Sequence, residues 1–183
     1  MTDESIQWET IDVDVAYRCP GFEVLTERVR LPDGTETTFD FLSEPPAVVI
    51  LPFTPAGDVV IIQEWRQAVK RINIGLPAGT MEPVDRTIED TAIRELAEET
   101  GYETDQLEPL TIAEPANGLL DVAHHYFVAY DCRPTADRNL DHNESITVDT
   151  TTLSSLRRSL ASDDVLDART ALAVLYYGAF GDG

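Results

Sequence analysis

Gly79-Thr80-Met81-Glu82-Pro83-Val84-Asp85 leads towards Arg94-Glu95-Leu96-Ala97-Glu98-Glu99-Thr100-Gly101-Tyr102, and the second of these segments decides how the chain is read. Glu95, Glu98 and Glu99 stand at i, i+3 and i+4. On a helix, that spacing projects all three carboxylates from one face within a turn. Like charges placed this way weaken a helix by about 0.2–0.5 kcal/mol per pair, so a merely solvated helix gains nothing from them. A hard divalent cation reverses the sign. Mg²⁺ or Mn²⁺ takes oxygen ligands, is held by a few carboxylates, and keeps positions open for water and substrate phosphates. The plain alternative is an acidic surface helix in an acidic protein, and the residues around the triad weigh against it.

Those residues form a pattern. The stretch resembles the signature of the Nudix hydrolases: a glycine, an acidic residue, then Arg-Glu-apolar-x-Glu-Glu-x-Gly-apolar. Every position from Arg94 to Tyr102 fits. Upstream, the spacing from Gly79 to Arg94 is one residue too long, and Asp85 stands where the family prefers glutamate. The extra residue belongs in the loop near Val84 to Arg86. Thr87-Ile88-Glu89-Asp90 reads as a variant capping box that opens the helix, which therefore keeps the family register.

Composition sets the context. At 183 residues and 43% hydrophobic, the chain is long enough to bury a proper core as one domain. It has no run of 18 apolar residues and no basic-then-apolar start, so neither a membrane span nor secretion is expected. Cys19 and Cys132 form neither a metal-finger spacing nor a disulfide framework, and a reduced cytoplasm is the default. Thirty-four acidic residues stand against thirteen basic ones, for a formal charge of -21, and Lys70 is the only lysine. Such acidity with ordinary apolar content suits a halophilic cytoplasm, where molar salt shortens the Debye length to about 3 Å. Nucleic-acid binding is disfavoured, since no basic stripe is present to release counterions.

Along the chain, Glu23 to Asp40 alternates and turns at Pro32-Asp33-Gly34, a hairpin signal. Val48–Leu51 and Val59–Ile62 flank a loop containing proline and glycine and read as a further strand pair, covered on both faces. Thr87 to Thr100 reads as a helix with Ile88, Ala92, Ile93 and Leu96 inward, closed by Gly101. Leu110 to Ala113 and His125 to Tyr130 read as strands. Thr152 to Leu160 and Asp164 to Tyr177 read as helices, the last with Val165, Ala168, Leu172 and Leu175 as its apolar stripe. Strands with helices on both sides predict an α/β fold. The Nudix resemblance implies the same: an α/β/α sandwich with a mixed sheet, plus an N-terminal β-hairpin. Residues 1–183 are expected to form a single Nudix hydrolase domain, with N-terminal strands in 1–43 and the catalytic core in 44–178.

The resemblance sharpens beyond the signature. Gln63-Glu64-Trp65-Arg66 followed by Leu76-Pro77-Ala78-Gly79 is similar to the ADP-ribose pyrophosphatase branch, as are Asn143 to Val148 and Leu166 to Tyr177. It departs from that branch at Gly75, where a glutamate is usual, and at Ala116-Asn117-Gly118 and Leu120-Asp121-Val122, where a proline and a glutamate are missing.

A pyrophosphate repels incoming hydroxide, and a divalent ion neutralises its oxygens and acidifies bound water. Glu95 and Glu99, at i and i+4, are the expected direct metal ligands, with Glu98 a further ligand through a second ion or water. The resemblance implies that Ala78 lends its carbonyl to the metal. Arg94 is expected to orient the carboxylates through a bidentate pair. Glu144 is the candidate general base or additional ligand, and His142 the alternative base, because its ordinary pKa lies near neutrality. Arg66, Lys70 and Arg71 cluster just upstream of the signature, and Arg66 is the candidate for substrate phosphate or ribose. The resemblance implies a metal-dependent hydrolase of a nucleoside diphosphate linked to another moiety, foremost ADP-ribose cleaved to AMP and ribose 5-phosphate. The alternatives are an NDP-sugar or dinucleotide pyrophosphatase and a non-catalytic nucleotide-sugar sensor. It also implies a homodimer, with the hairpin from Glu23 to Phe41 contributing to the interface.

Overall fold

The computed structural model describes residues 4–162, 164 and 167–181. Two compact units are present: Met1–Pro45 with Glu114–Val122, and Pro46–Ala113 with Ala123–Gly183.

The first unit is an antiparallel sheet of β1 (Glu9–Arg18), β2 (Glu23–Arg30) and β3 (Glu36–Ser43), in that order. The expected hairpin is β2–β3. Its turn places Gly34 at φ 87°, in the left-handed region, and the Asp33 carboxylate accepts from the Thr35 N–H at 2.9 Å. The sequence reading missed β1, whose ten residues carry few of the usual buried positions. Val13, Val15 and Tyr17 are exposed along it, and Trp8 meets Phe39 edge-to-face at 6.2 Å. The 114–122 segment returns to β3, where Leu42 donates to the Leu119 carbonyl and Ser43 Oγ donates to Asp121 at 2.8 Å.

The second unit holds the α/β architecture. Its strands are β4 (Ala47–Pro52), β5 (Asp58–Arg66), β6 (Arg71–Gly75), β7 (Ala78–Thr80), β8 (Tyr102–Glu103), β9 (Gln106–Ala113), β10 (His124–Tyr130), β11 (Arg133–Pro134) and β12 (Ile146–Thr152). Its helices are α1 (Ile88–Thr100), α2 (Leu153–Ala161) and α3 (Ala168–Phe180). A mixed sheet runs β7-β4-β10-β9, with β4 and β10 parallel, while β12-β5-β6 and β11-β8 are antiparallel.

The reading of β4 and β5 as a strand pair is corrected. Their backbones pair only at the Phe53–Val59 bridge, just past the end of β4, and the two strands belong to different sheets. Each is apolar on both faces because each is the covered interior strand of its own sheet. On β4, Val48 and Ile50 face a core shared with Ala92 and Leu96 of α1, whereas Val49 and Leu51 face one shared with β5, α2 and α3.

Two helix faces also differ from expectation. Ile93 is exposed, because the inward stripe runs Ile88, Ala92, Leu96 and Glu99 and turns away from position 93. In α3 the buried positions are Thr170, Ala173 and Val174, so Leu175 lies outside the stripe and is exposed. This helix starts at Ala168 on an Asp167 cap, later than Asp164, and Val165 lies outside the described residues.

Candidate active site

Helix α1 is set by its two ends. Thr87 caps the start by accepting from the Asp90 N–H, and Glu89 and Asp90 place negative charge in the first turn. Gly101 closes the end at φ 75° and donates to the Ala97 carbonyl at 2.8 Å. Packing of Ala92 and Leu96 then fixes the rotation of the helix, and that rotation carries Glu99 inward with them to 3% exposure. A carboxylate on the core face is costly unless it has partners.

Glu99 has one from β7: the Ala78 N–H donates to its Oε2 at 3.0 Å. Burial, above all, pushes the Glu99 carboxyl up to about 8, and that of Glu95 up to about 7. Gly79, the next residue of β7, makes room for Glu95. A Cβ at position 79 would fall well inside contact distance of the Glu95 Cδ and both carboxylate oxygens. The glycine of the signature is thus a matter of space rather than backbone angle.

Arg94 gathers the acids. Its Nε and Nη2 form a fork on Asp85 at 3.0 and 2.8 Å, and its Nη1 reaches Glu95 Oε1 and Glu98 Oε2, both at 2.9 Å. Nη2 also donates to the Thr80 carbonyl at 3.1 Å. Hydrogen bonding to Arg94 holds the Asp85 carboxyl far below the ordinary carboxylate range. The Asp85–Arg94 pairing was not foreseen. Its signal was present, an acidic residue at the signature's acidic position, but the extra loop residue obscured it. The loop absorbs that residue by closing on itself, with the Asp85 N–H on the Glu82 carbonyl and the Glu82 N–H on Asp85 Oδ2.

Glu144, in the loop before β12, is half-buried, and its charge raises the pKa of Glu95, Glu99 and Glu64 further. His142, two residues earlier, is exposed. Arg66 ends β5 and pairs with Glu64 at 2.8 Å. Lys70 and Arg71 are exposed at the β5–β6 turn, so the basic cluster divides. Glu64, only 7% exposed, is a further acid that sequence reasoning missed; burial raises its pKa, and the charges of Arg66 and Arg169 oppose that rise. Its signal was its place within Gln63-Glu64-Trp65-Arg66.

In kind, these donors fit a hard divalent ion. They are carboxylate oxygens on one helix face, two of them held above their ordinary pKa by burial, where a cation would favour the ionised form. Among the described residues, no three His, Cys, Asp or Glu side chains converge on one point. Arg94 takes up Glu98 and one oxygen of Glu95.

Carboxylates at i, i+3 and i+4 on α1, a glycine-bearing strand opposite them and an arginine that orders them therefore lie together in the second unit. The NUDIX domain family matches residues 43–172, and the chain belongs to that family. It is 30% identical over 174 residues to an ADP-ribose pyrophosphatase of Bacillus subtilis (strain 168), covering 94% of each chain. It is 27% identical to a methanol dehydrogenase activator of Bacillus methanolicus, over 92% of this chain and 91% of that one. A solved structure described as an ADP compounds hydrolase shares the fold, with a TM-score of 0.84 and 22% identity over 99% of each chain. Nudix hydrolases generally use divalent metals. Among the described residues, no helix is long and apolar enough to cross a membrane.

Proposed function

We propose that the chain is a Mg²⁺- or Mn²⁺-dependent pyrophosphohydrolase of nucleoside diphosphates linked to a second moiety, with ADP-ribose, cleaved to AMP and ribose 5-phosphate, as the foremost substrate. The observation that carries this reading is the set of Glu95, Glu98 and Glu99 at i, i+3 and i+4 on α1, with Arg94 bonded to the first two and the Ala78 N–H to the third. Likeness to the Bacillus subtilis ADP-ribose pyrophosphatase supports the substrate.

Glu95 and Glu99 would hold the ion, with the Ala78 carbonyl and Glu98 completing its protein ligands. When bound, the ion supplies charge neutralisation of the diphosphate and acidification of water. Arg94 keeps Glu95 and Glu98 in register. Arg66 contacts a phosphate or ribose oxygen of the substrate. Glu144 accepts the proton as the water oxygen bonds to phosphorus and the bridging P–O bond breaks. Glu144 stands ahead of His142 as base because it is half-buried in the loop, whereas His142 is exposed to solvent.

Gly75 favours a second reading, an NDP-sugar or dinucleotide pyrophosphatase. A Cβ at Gly75 would lie 3.0 Å from Thr170 Oγ1 and 3.1 Å from Asp167 Oδ2, so the start of α3 occupies the space of the glutamate usual in the ADP-ribose branch. Incubation with each ion and a panel of ADP-ribose, NDP-sugars and dinucleotides, with products resolved by chromatography, tests both readings. Hydrolysis of ADP-ribose at the highest kcat/KM supports the first. No hydrolysis of any member would leave a nucleotide-sugar sensor.

Residues 1–183 act as one cytoplasmic hydrolase with a catalytic core in 44–178. The N-terminal strands mediate homodimerisation, with the hairpin from Glu23 to Phe41 contributing to the interface and the exposed Val13, Val15 and Tyr17 of the adjoining β1 adding apolar surface. A monomeric mass by light scattering at molar salt would remove the dimer.

A further inference from the structure

We propose that Arg138 is a positioning residue that holds the 139–145 loop, and with it Glu144, against the carboxylate helix α1. The inference rests on the role of Glu144 given above. The last carbonyls of any helix lack partners within it, and α1 has no basic residue in its last turn to satisfy them. The partners come from further along the chain. The Asn139 N–H donates to the Glu98 carbonyl at 3.1 Å, and Arg138 Nε donates to the Glu99 carbonyl at 2.9 Å. The same guanidinium extends its Nη2 to the carbonyl of Ile146, the first residue of β12, at 2.8 Å.

Arg138 therefore joins three points. It immediately precedes the loop, it grips the backbone of Glu99, and it grips the residue that follows the loop. Between these anchors the loop closes on itself, with the Glu144 N–H on the Asp141 carbonyl and the Asp141 N–H on Glu144 Oε2, both at 3.0 Å. Gly101 admits the arrangement. It is left-handed at φ 75°, and a Cβ there would lie 2.9 Å from the Ala136 carbonyl oxygen and 3.3 Å from Arg138 Cγ. Only a planar, forked cation spans two carbonyls in this way. Lysine, a single point charge, reaches one of them.

The test compares Arg138→Ala and Arg138→Lys, each alone and with Glu144→Gln, by two readouts. The first is amide hydrogen exchange across residues 139–146. The second is the kcat on the nucleoside diphosphate that the parent cleaves best. Arg138→Ala is expected to raise exchange in that segment about ten-fold while β5 stays protected. It is expected to lower kcat by about 10- to 100-fold, the scale of a displaced catalytic group. Arg138→Lys should recover part of both, and in the Glu144→Gln background Arg138→Ala should cost less than about two-fold more. An equal loss with and without Glu144, or parent kcat in Arg138→Ala, overturns the proposal. A parent that cleaves no diphosphate refutes the pyrophosphohydrolase reading instead; exchange then decides whether Arg138 holds the 139–145 loop, and unchanged exchange in Arg138→Ala overturns that.

Discussion

The carboxylate of Glu95 lies over the backbone of Gly79, in the space that a side chain at position 79 would need. Strand β7 and helix α1 are therefore interlocked twice in succession, by the Ala78 N–H on Glu99 and by the bare Cα of Gly79 beneath Glu95. The acids of the helix are held by the strand opposite them as well as by their own spacing.

Gly79→Ala should displace the Glu95 carboxylate. The added methyl meets three atoms of that group, and the strand cannot retreat because Ala78 and Gly79 pair with Val49 and Val48. Turnover should fall about 10²-fold, as for a misplaced catalytic group. The fold should survive with a loss of about 1–3 kcal/mol, the usual cost of overpacking. Steady-state kinetics and thermal melts together check this. Parent-like turnover would mean that Glu95 does not act where the structure puts it.

Glu99→Gln keeps nearly the same shape and removes a buried charge. Turnover should fall at least about 10²-fold, the scale for losing one preorganised electrostatic contributor, roughly 3 kcal/mol. Without metal, the melting temperature at pH 8 should be equal or higher, because a desolvated carboxylate beside Glu95 is gone. Added Mg²⁺ should stabilise the variant less than the parent, since ligand linkage shrinks with affinity. Equal Mg²⁺ stabilisation in the two proteins would take Glu99 out of the ligand set.

Metal-free stability should fall as pH rises between about 5 and 8. Burial raises Glu99 from its ordinary 4.5 to about 8 and Glu95 to about 7, so the folded state binds these protons more tightly than the unfolded state. Their contribution is complete below 4.5, is lost progressively as pH climbs to 8, and is flat beyond. Saturating Mg²⁺ favours the ionised acids and should flatten the profile. Melts in chelator at pH 5.5 and 8.0 decide the matter. A higher midpoint at pH 8.0 would contradict the burial of these two acids.

Stability should also rise with salt. A formal charge of -21 repels itself, and only high ionic strength screens that repulsion. The thermal midpoint should climb steadily from dilute buffer to molar KCl. A midpoint indifferent to KCl would separate the acidity of this chain from any adaptation to salt.

The local sequence determined a good deal. Thr87 and Gly101 bounded α1, the i, i+3, i+4 spacing put Glu95, Glu98 and Glu99 on one side of it, and Pro32-Asp33-Gly34 turned the β2–β3 hairpin, because caps, periodicity and turns act over a few residues. Tertiary structure decided the rest. It separated β4 from β5 into two sheets, since two strands covered on both faces carry no mark of which neighbour each will choose. It buried Glu99 while leaving Ile93 exposed, since packing against Val48 and Ile50 sets the rotation of the helix more strongly than the polarity of any one side chain. It also brought Asp85 to Arg94, the charge of Glu144 to bear on Glu95 and Glu99, and Arg138 to the end of α1, from separations of nine to forty-nine residues. Contacts of that kind follow from how sheets and helices stack, and no window of the chain contains them.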